Sequence, residues 1–110
     1  MRQPPLSPHI SSRQAILEVL VRGENYGVGI RNLVLERSGG AIDLGPGRLY
    51  PALRSLERDG LITSSPGETT TARVGRPRIY HRLTAEGRRA ATAHREQLVN
   101  FFAFPDPSAP

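Results

Sequence analysis

All 15 basic side chains of this 110-residue chain are arginines, and they are unevenly placed. A guanidinium offers a planar fork of donors that matches phosphate oxygens and the guanine edge better than an ammonium does. Between Pro46 and Leu83 there are seven arginines against three acids, whereas residues 1–45 carry a net charge of +1 and residues 84–110 of zero. Nearly all of the formal +5 therefore sits on one middle segment, which points to a polyanionic partner. Arg48 and Arg54, with Tyr50 and Pro51 between them, could read bases and phosphates from a helix. Arg73, Arg76 and Arg78 form a second cluster with no acid among them. Such a cluster suits backbone or minor-groove contact.

Other chemistries find little support. There is no cysteine, hence no disulfide, thiolate nucleophile or thiolate metal site. His9, His81 and His94 stand far apart, none at metal-ligand spacing from a carboxylate or a second histidine. Gly27-Val28-Gly29 and Gly45-Pro46-Gly47 do not continue into phosphate-loop patterns. No Gly-x-Ser-x-Gly and no paired carboxylates argue for hydrolytic or acid–base chemistry. The expectation is a protein that is not an enzyme and has no catalytic residue, metal or cofactor. No apolar run approaches a signal peptide or a membrane span, so we expect a cytoplasmic protein without membrane contact.

The elements that must hold these arginines follow from periodicity. Ser11 and Gln14 have capping-box spacing, and Ala15, Ile16, Val19 and Leu20 recur at helical period, with Gly23 as the stop. A second helix is predicted from Gly27 to Arg37, ended by Ser38-Gly39-Gly40. Pro46 suits the first turn of a third, whose stripe Leu49, Ala52, Leu53, Leu56 leaves Gly47, Pro51, Arg54 and Arg58 outside. Pro51 lacks an N–H, which predicts a short helix with a loosened first turn. Leu61–Thr63 and Arg78–Leu83 read as strands, with a loop tip over Ser64–Thr71. Thr84 is an N-cap for a last helix reaching about Phe104, where Pro105 bars it. Three short helices followed by a hairpin and a long helix describe a mainly α fold with a small β-hairpin (α+β), a winged helix-turn-helix whose third helix enters the major groove. Residues 1–10 and 105–110 are expected to be flexible tails, 11–83 the DNA-binding domain and 84–104 a dimerisation helix. In that helix Gly87, Ala91, His94, Leu98 and Phe101 alternate by four and three, an a/d-type seam, and Phe102 and Phe104 add apolar surface. Ala91, His94, Leu98, Phe101 and Phe102 are the candidate dimer residues.

The stretch Leu49-Tyr50-Pro51-Ala52-Leu53-Arg54-Ser55-Leu56-Glu57-Arg58-Asp59-Gly60-Leu61-Ile62, with Pro46 ahead of it, closely resembles the PadR family of transcriptional regulators. Gly75-Arg76-Pro77-Arg78-Ile79-Tyr80-His81-Arg82-Leu83-Thr84-Ala85-Glu86-Gly87 resembles the family's wing and its entry to the last helix. The resemblance spans residues 13 to about 100. It implies a homodimer that binds inverted repeats in double-stranded DNA through the third helix and wing, usually as a repressor. The single C-terminal helix resembles the compact subgroup, some of whose members bind planar drugs between subunits. That implies a small aromatic or drug-like effector, although a chain without tryptophan cannot offer a tryptophan cage. Two departures stand out. Where the family often has Gly-Tyr-Glu, with the tyrosine implicated in DNA contact, this chain has Gly27-Val28-Gly29, which makes Tyr26 the candidate substitute. The second tyrosine of the wing strand is His81. Two alternatives stay open: a winged-helix protein–protein interaction module, and a small-molecule-binding dimer without specific DNA binding.

Overall fold

The computed structural model describes residues 10–67 and 78–103. Its order is α1 (Ser12–Val21), β1 (Asn25–Tyr26), α2 (Gly27–Arg37), α3 (Pro46–Arg58), β2 (Ile62–Pro66), β3 (Ile79–Leu83) and α4 (Ala85–Ala103). The strands form one antiparallel sheet in the order β1-β3-β2. This is the winged helix-turn-helix with a long last helix, a four-helix α+β fold.

Local chemistry accounts for most boundaries. Ser11 caps α1 through both halves of the capping box, with Ser11 Oγ accepting from Gln14 N at 3.1 Å and Gln14 Oε1 accepting from Ser11 N at 3.0 Å. Thr84 caps α4 by accepting from Gly87 N at 3.0 Å, while its hydroxyl donates to the Gly60 carbonyl at 2.7 Å. α3 is continuous and 13 residues long despite Pro51, against the expectation of a short helix. The Gly45 carbonyl accepts from both Arg48 N at 2.9 Å and Leu49 N at 2.8 Å, so its first turn is tightened rather than frayed. Pro51 then removes one bond where the opposing residue is exposed Gly47, whose carbonyl water can satisfy.

One core joins all the helices. Ile16, Leu20, Ile30, Leu44, Leu56 and Ile62 are completely enclosed, and the α3 stripe Leu49, Ala52, Leu53, Leu56 is buried throughout. Ile10, expected within the flexible tail of residues 1–10, packs partly buried against this core instead. β2 runs on through Ser64 and Ser65 to Pro66, where a loop tip was expected. Its register with β3, Ser64 opposite His81 and Ser65 opposite Tyr80, supplies ladder bonds that polar side chains do not oppose. β1 was not anticipated; it pairs Asn25 with His81 and Tyr26 with Tyr80.

The start of α4 belongs to the same body. A Cβ on Gly87 would collide with the Leu61 carbonyl oxygen, so only glycine lets α4 lie so close to the wing base. Ala91 is 2% exposed within the core.

Candidate nucleic-acid interface

α3 buries its leucines and turns its cations outward. Arg48, Tyr50, Pro51, Arg54 and Arg58 are all exposed, with Pro51, Arg54 and Arg58 opposite the core stripe and Arg48 and Tyr50 flanking them. The acids at its C-terminal end face the body instead. Asp59 pairs with Arg13 of α1 at 3.0 Å, and Arg13 also donates to Ser55. Glu57 accepts from the Ser64 hydroxyl of β2 at 3.2 Å.

The arginines thus divide into two sets. Arg13, Arg31, Arg89 and Arg95 are paired, with Asp59, Asp43, Glu86 and Glu18 respectively. Arg31 grips Asp43 through two nitrogens at 2.8 and 3.2 Å, and this hydrogen bonding holds the Asp43 carboxyl below its usual range. Arg22, Arg37, Arg48, Arg54, Arg58, Arg78, Arg82 and Arg88 have no carboxylate within 4.0 Å among the described residues, and three of them, Arg48, Arg54 and Arg58, stand together on α3. Their charge is uncompensated on an exposed helix face, the electrostatic footprint of an anion-binding surface.

The wing base adjoins this face. Side chains alternate across β3, so Tyr80 and exposed Arg82 share one face while His81 and Leu83 face the core. Tyr26 lies across from Tyr80, edge to face, with ring centroids 5.5 Å apart and an interplanar angle of 63°. The Arg78 guanidinium sits 4.5 Å above the Tyr26 ring centroid. Tyr50 of α3 reaches the start of α2, where a Cβ on Gly27 would stand 3.1 Å from its hydroxyl; glycine keeps that approach open. At the core side His81 is buried, its Nδ1 2.8 Å from the Ser64 hydroxyl. Burial pushes its pKa down, and the nearby Glu57 carboxylate opposes this more weakly.

The sequence matches the model of the transcriptional regulator PadR-like family over residues 16–93. The chain belongs to the PadR family. Among solved structures, a PadR family transcription regulator from Clostridium difficile is similar at 27% identity and TM-score 0.73, over 83% of this chain and 90% of that one. A transcriptional regulator from Clostridium thermocellum is similar at 28% identity and TM-score 0.67, over 84% and 89%. PadR of Bacillus subtilis, solved in complex with operator DNA, shares the fold at 24% identity and TM-score 0.65, over 89% of this chain and 51% of that one. No curated protein sequence matches. Family membership makes this chain a transcription regulator and not an enzyme.

Against this PadR frame, the candidate residues fall into three groups. Arg48, Tyr50, Pro51 and Arg54 share the exposed side of α3, as expected. Tyr26 and Arg78 meet each other at the wing base. Arg73 and Arg76 lie outside the described residues. Tyr80 and exposed Arg82 share the Arg78 side of β3, and the Arg78-Tyr80-Arg82 alternation is their signal in the sequence.

The α4 candidates separate. Ala91 is enclosed by its own subunit, which corrects its assignment to a dimer seam. His94 is half-buried, with its Nδ1 3.1 Å from Gln14 Nε2 of α1 and its Nε2 enclosed. The Gln14 carbonyl is occupied by Ser11 N, so the amide donates and His94 Nδ1 accepts. Leu98, Phe101 and Phe102 are 41%, 74% and 79% exposed, with Val99 beside them at 57%. Phe104 lies outside the described residues. Among the described residues no group of His, Cys, Asp or Glu could hold a metal, and no helix is long and apolar enough to cross a membrane.

Proposed function

We propose that this chain is a sequence-specific DNA-binding repressor that acts as a homodimer. The observation carrying this reading is the exposed face of α3, where Arg48, Arg54 and Arg58 carry unpaired charge while Glu57 and Asp59 are engaged by the body. Each subunit lays α3 in a major groove, with Arg54 toward base edges and Arg48 and Tyr50 near the backbone. The wing, through Arg78 and the neighbouring Arg73 and Arg76, grips the flanking phosphates. The shared fold with B. subtilis PadR, solved in complex with operator DNA, supports a DNA-binding role.

The second copy docks on the distal part of α4. Leu98, Val99, Phe101 and Phe102 are too large and exposed an apolar group for a monomer to leave in water without cost. The DNA-binding unit then runs past Leu83 into the first half of α4, and the dimer helix is its second half. Two-fold symmetry sets two inverted half-sites about 34 Å apart on one face of the duplex. Repression follows from occupying a promoter in the cytoplasm. Relief comes from a small aromatic or drug-like effector that favours a dimer with the wrong half-site spacing.

A gel-shift titration against the DNA immediately upstream of the chain's own gene tests the reading. A saturable shift at moderate salt, resistant to competing random DNA, is expected. Absence of any saturable shift overturns it in favour of a protein–protein or small-molecule role.

A further inference from the structure

Tyr26 stands at the N-cap of α2, yet its side chain makes no capping hydrogen bond. Its ring is used on two sides instead. Tyr80 meets it edge to face across the β1–β3 pair, and the Arg78 guanidinium lies 4.5 Å from its centroid. Arg78 is exposed, and no carboxylate among the described residues lies within 4.0 Å of it. A free arginine samples many rotamers, and the ring face restricts them by attraction to the cation. Tyr26 itself is held by the strand pairing and by Asn25, whose Oδ1 accepts from Tyr26 N at 2.8 Å.

We propose that Tyr26 is a positioning residue that acts on DNA through Arg78. Its ring, not its hydroxyl, is the functional part, and it presets the Arg78 guanidinium at the wing base for a backbone phosphate. The proposal rests on the reading that the wing contacts DNA. It reassigns Tyr26 from a direct phosphate contact to a platform. The two-residue strand β1 gains a purpose from it, because that short pairing delivers the ring beneath β3.

The test is a salt series of binding to random-sequence duplex DNA, where a phosphate contact is read without knowledge of the operator. Tyr26→Phe keeps the ring and binds like wild type with the same salt slope. Tyr26→Leu binds about two- to fivefold more weakly, the size of a surface cation–π contact. Arg78→Ala lowers the slope by about one unit. In the Arg78→Ala background, Tyr26→Leu has no further effect on affinity or slope. A Tyr26→Phe loss equal to that of Tyr26→Leu overturns the proposal in favour of a hydroxyl contact. Additive losses in the double variant overturn it by showing an independent role, and leave the wing reading intact. An Arg78→Ala variant indistinguishable from wild type overturns both.

Discussion

Helices α3 and α4 each bury one stripe, α4 through Gly87 and Ala91 in its first half, and leave other residues uncovered by the rest of the chain. On α3 the uncovered face holds arginines without carboxylate partners and a tyrosine. On α4 it holds Leu98, Val99, Phe101 and Phe102. Unpaired guanidinium groups lose little in water, so the α3 face is stable alone and gains when phosphates displace counterions. Exposed phenylalanines are unfavourable in water in proportion to their area, so the α4 face is relieved by a second apolar surface. On the proposed function one face meets an anion and the other a like copy, and they should fail separately.

The largest expected effect is on α4. In the proposed dimer, Leu98→Asp places a carboxylate in the seam of both subunits at once. Losing one buried leucine contributes roughly 1.5–3 kcal/mol, doubled by two-fold symmetry. The dimer should dissociate about a hundredfold or more more readily, seen as a monomer by sedimentation. A variant that sediments as wild type removes the seam. Ala91→Leu serves as the counterpart. Only about two turns separate these residues, but burial distinguishes them, so Ala91→Leu should lower fold stability by about 1–3 kcal/mol through overpacking. A monomer with an unchanged melting temperature would return Ala91 to the interface.

On α3 the effect is next in size and leaves assembly alone. If Arg54 reads a base, Arg54→Ala loses roughly 1–3 kcal/mol on the preferred site and relaxes selectivity at one position. The dimer should sediment unchanged. An equal loss on every sequence would reduce Arg54 to a phosphate contact, and an altered sedimentation would blur the division between the two faces.

The α3 face was legible because it is local. Leu49, Ala52, Leu53 and Leu56 fix the inside of the helix, and 100° per residue fixes Arg54 and Arg58 outside. The caps Ser11 and Thr84 and the start at Pro46 were legible for the same reason. What stayed hidden depends on distant partners. The Arg13–Asp59 and Arg95–Glu18 pairs join residues from different helices, so sorting paired from unpaired arginines needs the fold. β1 has two residues and no alternation of its own, and exists by pairing with β3. The period of α4 runs unbroken from Gly87 to Phe101, yet its first half faces α1 and the wing base. The change from Gly87, Ala90 and Ala91 to Leu98 and Phe101 was the available sign, since small side chains permit the close approach that large ones prevent.

The smallest expected effect concerns pH, and it should touch the α3–wing side alone. His81 joins the wing to α3 through Ser64, whose hydroxyl donates to Glu57 and so leaves its oxygen to accept from His81 Nδ1. Burial lowers the folded-state pKa of His81, with Glu57 opposing, while the unfolded side chain titrates near the ordinary value of about 6.5. As pH falls below that value the unfolded chain takes up a proton that the folded chain resists. Stability therefore declines on acidification until the folded imidazole also titrates, and then levels. Thermal unfolding from neutral to mildly acidic pH should show this decline in wild type and a shallower one in His81→Gln, which keeps a hydrogen-bonding group but cannot titrate. Sedimentation over the same range should stay unchanged, because His81 lies at the wing base and the distal α4 seam contains no histidine among Leu98, Val99, Phe101 and Phe102. An equal decline in the variant would place the titrating group elsewhere, and acid-driven dissociation of the dimer would show that the two faces are coupled.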